Sequence, residues 1–133
     1  MAEVVIASLH PRWQVTPEVA VRSPVRGWID LALHDPEAHL VVAAELESEL
    51  HRLEQLIRWS AQKADAIGAG SRLLVVRWTR HNRAVVEAAR RLLREAYPAD
   101  PRDALDAITG TATWPGPALL WARIDRGGSE LVA

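Results

Sequence analysis

The period of apolar and polar positions changes several times along the 133-residue chain, and each change marks an element. Residues 3–10 carry Val4, Val5, Ile6 and Leu9, which predicts a short helix ended by Pro11. Trp13 to Arg22 alternates loosely and is rich in valine, a strand that Pro17 assigns to an edge or a bulge. Ser23-Pro24 to Gly27 is a turn. Residues 27–34 then place Ile29, Leu31 and Leu33 on one face and Trp28, Asp30 and Ala32 on the other. Asp35-Pro36 begins a turn into a further strand at 39–47. Helical spacing takes over after Ser48, read as the N-cap: Leu50, Leu53, Ile57, Ala61 and Ala64 form one stripe, ended by Gly68 or Gly70. A short apolar run at 72–78 is a buried strand. One helix is expected from about Arg80 to Tyr97, with Val85, Val86, Ala89, Leu92 and Leu93 inward. After Pro98 and Pro101 come a short helix near 102–108 and a last strand, Ala118 to Ile124, and Arg126-Gly127-Gly128 opens a loose tail.

The order α-β-β-β-α-β-α-(α)-β predicts a single α/β domain over residues 1–133, with no repeat or linker to divide it. Composition narrows this only a little. A hydrophobic share of 49% beside 25% charged residues is that of a folded globular chain and excludes wholesale disorder. No apolar run approaches bilayer length, the start lacks a basic signal region, and the cytoplasm is the default location. The absence of cysteine removes disulfides and thiolate metal sites. Net charge is −1, which argues against a strongly basic nucleic-acid coat. Lys63 is the only lysine, and six tryptophans with no phenylalanine must supply most large aromatic packing.

Asp30, Glu45 and Glu47 carry the chemistry. Carboxylates inside apolar strands are costly without partners. A turn near Pro36-Glu37-Ala38 pairs the two strands antiparallel, so residue 30 falls opposite roughly 43–45 and the period of two brings Glu47 to the same face. Carboxylates about 5 Å apart repel unless a cation lies between them. Such an oxygen-rich site suits Mg²⁺ or Mn²⁺. The competing assignment gives Glu47 to the macrodipole of the following helix and pairs Glu45 with Arg22 or Arg26.

Residues 27–48, GWIDLALHDPEAHLVVAAELES, resemble the strand-turn-strand of PD-(D/E)XK nucleases, in which an Asp precedes a D/E-x-K tripeptide. The stretches LHPRW at 9–13, AELES at 44–48, RWSAQK at 58–63 and TRHNR at 79–83 are similar to nuclease-like domains behind helix-turn-helix domains in GC-rich bacteria. The resemblance implies a restriction-endonuclease-like core, α-β-β-β-α-β, with a mixed central sheet flanked by helices. It also implies Mg²⁺-dependent hydrolysis of DNA by Asp30, Glu45 and Glu47, within a longer helix-turn-helix protein. Two copies pairing to cut both strands is an expectation by analogy. One position departs from the pattern: Glu47 stands where the motif has its lysine. Lys63 is the substitute by type. At about 14 residues, or about 20 Å, into its helix it is expected to fall short of the cluster and to form a solvated flank. Arg52, Gln55 and Arg58 lie nearer, and Gln55 resembles a helix glutamine of the exonuclease subgroup.

A right-handed crossover makes the strand ending at Trp78 parallel to the one ending at Glu47. Thr79, Arg80, Asn82 and Arg83 then join Gln55 and Arg58 as candidate phosphate or DNA contacts at a helix N-terminus. The five histidines show no zinc-like spacing. The alternative to an active nuclease is a catalytically inactive nuclease-fold module that binds DNA or protein. A partner-binding fragment is a third class, marked by Trp13, Trp114 or Trp121 gathered in one exposed patch.

Overall fold

The structure is a computed structural model that describes residues 1–133. One six-stranded sheet runs in sequence order: β1 (Gln14–Val21), β2 (Gly27–Asp35), β3 (Leu40–Glu47), β4 (Ser71–Arg77), β5 (Ala118–Asp125) and β6 (Gly128–Val132). The β1–β2–β3 meander is antiparallel, β3–β4 and β4–β5 are parallel, and β6 returns antiparallel to β5. The chain is therefore α/β with a mixed sheet. Pro17 lies on β1, an edge strand, where its missing N–H costs no ladder bond.

Helices cover both faces. On one side α1 (Ala2–Ser8) packs on β6 and α5 (Pro101–Thr109) on β5. They close a core of Leu31, Leu33, Val42, Leu73, Val75, Ile108 and Leu120. On the other lie α2 (Leu53–Ala66), α3 (Arg80–Ala88) and α4 (Arg90–Ala96), over Leu74, Val76, Leu93 and Tyr97. The strand alternation follows from this layering: Leu74 and Val76 of β4 face one helical layer, Leu73 and Val75 the other.

Four expectations change. Ser48 is not the cap of α2. Five residues, 48–52, carry the chain past the end of β3, and Arg52, at φ 44°, turns it into the helix at Leu53. The helix expected from Arg80 to Tyr97 is two, because Ala89 (φ −106°, ψ 22°) leaves helical geometry between α3 and α4. The loose tail is strand β6, whose Leu131 is buried in the main core. Its pattern is short and carries polar Ser129 and Glu130, so periodicity alone does not reveal it. Finally, Trp13, Trp114 and Trp121 form no exposed patch. Trp13 is buried edge-on to Trp114 at 6.3 Å, and Trp121 packs edge-on to Trp78 on the opposite face. The most exposed tryptophans are Trp28 and Trp59.

Candidate metal centre

The strand pair β2–β3 opens where the carboxylates sit. The ladder runs from Asp35↔Leu40 to Leu31↔Ala44 and stops there. Asp30 is also skipped in the pairing with β1, between Pro17↔Leu31 and Val19↔Ile29, opposite Glu18 in the left-handed region (φ 52°). Ile29 and Leu31, two residues apart, belong to different core clusters, so the strand changes its facing at Asp30. In place of the ladder, Asp30 Oδ2 accepts the Leu46 N–H at 2.8 Å. One residue of irregular strand thus puts Asp30 between Glu45 and Glu47, near the register expected from the turn.

Glu45 is buried, with its side chain only 7% exposed, and Lys63 Nζ lies 2.7 Å from its Oε1. The well-aligned hydrogen bond of Lys63 goes elsewhere, to the Trp28 carbonyl at 2.8 Å. Glu45 Oε1 therefore has an ion-pair neighbour but no aligned donor. Burial pushes the Glu45 carboxyl up from the usual 4.5 to about 7; Lys63 opposes the rise and Asp30 adds to it by repulsion. Glu47, half-buried, is raised for the same first cause, burial, with Asp30 next, while Lys63 and His51 pull it down. These cross-influences place Asp30, Glu45, Glu47 and Lys63 in one electrostatic group.

The position of Lys63 corrects the expectation of a solvated flank. The lysine side chain is 16% exposed and tied to two strands. Two facts shorten the distance. The helix begins at Leu53, not at Ser48, and the 48–52 loop overshoots the end of β3 before α2 runs back along the sheet. Ten residues of helix, about 15 Å, are then spent returning to the level of Glu45. The pairing of Glu45 with Arg22 or Arg26 is likewise replaced by Lys63.

A cleft of about 270 Å³ lies beside the group, lined by Glu47, His51, Arg52, Gln55, Trp59 and Lys63 among others. Gln55 lines it as a polar contact, whereas Arg58 is exposed outside that lining. The segment 79–83 is divided. Thr79 caps α3 by accepting the Asn82 N–H at 3.1 Å. Asn82 is fully buried: its Oδ1 accepts Leu50 N–H at 2.9 Å, and its Nδ2 donates to the Ser48 and Arg77 carbonyls, both at 2.9 Å. With its amide spent on the 48–52 loop and the end of β4, Asn82 has nothing to offer a phosphate. Arg83 stacks over Trp78 at 4.9 Å, and Arg80 is exposed.

Two features escaped the sequence. Trp28 and Trp59 are exposed, and Trp59 borders the cleft. Glu49, His51 and His81 converge, each with a ligand atom within 4.8 Å of the others. No local spacing signals this, because His51 and His81 lie on separate elements 30 positions apart.

Asp30, Glu45 and Glu47 offer oxygen donors beside the single ammonium of Lys63 in a partly desolvated place, whereas the only His, Asp and Glu side chains whose ligand atoms all lie within 4.8 Å of one another are Glu49, His51 and His81. Comparison with protein-family models, curated proteins and solved structures returns no match to this chain.

Proposed function

We propose that this chain is a Mg²⁺-dependent phosphodiesterase acting on DNA, built on a restriction-endonuclease-like arrangement of the PD-(D/E)XK kind. The observation that carries the proposal is the ammonium of Lys63 held 2.7 Å from Glu45, in the group that also holds Asp30 and Glu47. It supplies from α2 the positive charge that Glu47 displaces from the motif. Asp30 and Glu45 would hold the ion, Mg²⁺ or Mn²⁺, and Glu47 would hold a second ion or a water. The ion, when bound, activates water and stabilises negative charge on the phosphodiester.

The protein's own groups do the remaining work. Lys63 donates one of its three N–H groups to the Trp28 carbonyl and faces Glu45 as an ion-pair partner, so its remaining donors suit a water or a phosphoryl oxygen at the same place. The Leu46 N–H fixes the Asp30 carboxylate, so its lone pairs are oriented before a ligand arrives. Gln55 and Arg52 border the same cleft and suit polar contact with the substrate backbone.

End-labelled DNA, single-stranded and duplex, incubated with Mg²⁺ tests this. Cleavage by the wild type that stops with EDTA and falls at least about a hundredfold in Asp30→Asn, about 3 kcal/mol of lost transition-state stabilisation, is expected. Cleavage that survives Asp30→Asn contradicts the assignment. The exposed Trp28 and Trp59 favour the second reading, an inactive nuclease-fold module that binds DNA or protein. In that case DNA is bound and released uncut.

A further inference from the structure

We infer that Glu49, His51 and His81 form a transition-metal site separate from the carboxylate group, suited to Zn²⁺, with an open coordination position. Two imidazoles and one carboxylate make a donor set that Zn²⁺ accepts readily and Mg²⁺ does not. The site is independent of whether the chain cleaves DNA.

The case rests on how firmly these three side chains are presented. Leu50 is buried, 2% exposed, in the core beneath α2. Glu49 and His51, on either side of this inward residue, are both exposed. The backbone between them is locked by α3. Asn82 Oδ1 accepts the Leu50 N–H and Asn82 Nδ2 donates to the Ser48 carbonyl, both at 2.9 Å. The Leu50 carbonyl is 3.1 Å from His81 Nε2. Loop and helix therefore share one rigid frame, although 30 positions separate the two histidines.

The same contact sets the chemistry of His81. A carbonyl only accepts, so Nε2 must carry the proton, and the lone pair of a neutral ring lies on Nδ1. A ring N–H donated to a backbone carbonyl is the usual support of a metal-bound histidine. His51 Nε2 is 3.6 Å from Glu49 Oε2, and the two imidazole centroids are 5.9 Å apart. A tetrahedral zinc places its ligand atoms about 3.3 Å apart. The observed spread lies within 4.8 Å, and all three side chains are exposed and so have room to adjust. Glu49 and His51 also line the cleft that holds Glu47 and Lys63, so an ion there borders the same space as the carboxylate group. Water or an anionic ligand takes the fourth position.

Calorimetric titration of ZnCl₂ into the full chain, without DNA, tests the proposal, with Co²⁺ absorption as an independent reporter of geometry. One zinc per chain is expected in the wild type and equally in Asp30→Asn, with a tetrahedral Co²⁺ spectrum. His51→Ala, whose side chain is 67% exposed, is expected to fold normally and to weaken zinc by about tenfold or more. Glu49→Gln serves as a second variant and is expected to act in the same direction. The proposal is overturned if the wild type binds no zinc, if both variants bind as the wild type does, or if Asp30→Asn abolishes binding. The last result would put zinc in the carboxylate group. Because no cleavage is read, absence of nuclease activity does not touch this result.

Discussion

At the residue scale, the centre turns on one acid and one base, Glu45 and Lys63. Glu45 and its register with Asp30 are legible in the sequence, since a carboxylate amid valine and alanine announces itself and the turn sets its partner. Lys63 is legible as a type but not as a position, because a helix offset depends on the loop before it. The pair has a measurable pH signature. Burial raises Glu45 from 4.5 to about 7, so between these values the folded chain holds a proton that the unfolded chain has released. Stability accordingly falls as pH rises from about 4.5 to about 7, and the loss is complete above that. Glu47, also raised, acts in the same direction. Thermal unfolding in EDTA at pH 5, 6 and 8 should show this decline, and Glu45→Gln should flatten it. In Lys63→Met the decline should steepen, because the charged Glu45 loses its partner; the cost at pH 8 is about 1–3 kcal/mol, limited by protonation of Glu45. At pH 5 that substitution should cost far less. An equal loss at both values would show that Lys63 serves packing and not Glu45.

At the element scale, Asn82 ties the loop after β3 and the end of β4 to α3, and so fixes the frame of Glu49, His51 and His81. The sequence showed a polar run after a strand, which suits a phosphate as well as it suits a clamp. Burial decides between them, and burial of an asparagine is not visible in a local pattern. The Asn82 side chain forms three bonds with loop and strand backbone, each worth about 1 kcal/mol net. Asn82→Ala is expected to lose about 2–4 kcal/mol in urea denaturation, including the unsatisfied groups left behind. A loss below about 0.5 kcal/mol would contradict the clamp. The division of α3 from α4 and the strand β6 were hidden for a related reason. The apolar spacing continues through Ala89 although the backbone does not, and β6 is short, with polar Ser129 and Glu130 beside its one deeply buried residue, Leu131.

At the scale of the whole molecule, the sheet brings the carboxyl ends of parallel β3 and β4 to one edge, where Glu47 at the end of β3, the 48–52 loop and the start of α3 come together. The class of fold was readable because alternation and helical spacing are strong over most of the chain. The convergence of Glu49, His51 and His81 was not, because it arises only where the 48–52 loop meets the start of α3. The central claim is that Asp30, Glu45 and Glu47 form a centre for a hard divalent cation. Thermal unfolding of wild type and Asp30→Asn, each in EDTA and in excess Mg²⁺, tests it most directly, since the imidazole site does not take Mg²⁺. At a hundredfold excess over the dissociation constant, binding to the folded state adds about 2.7 kcal/mol, which should raise the wild-type midpoint by several degrees. The shift should vanish in Asp30→Asn. No shift in the wild type, or an equal shift in both proteins, would contradict the claim.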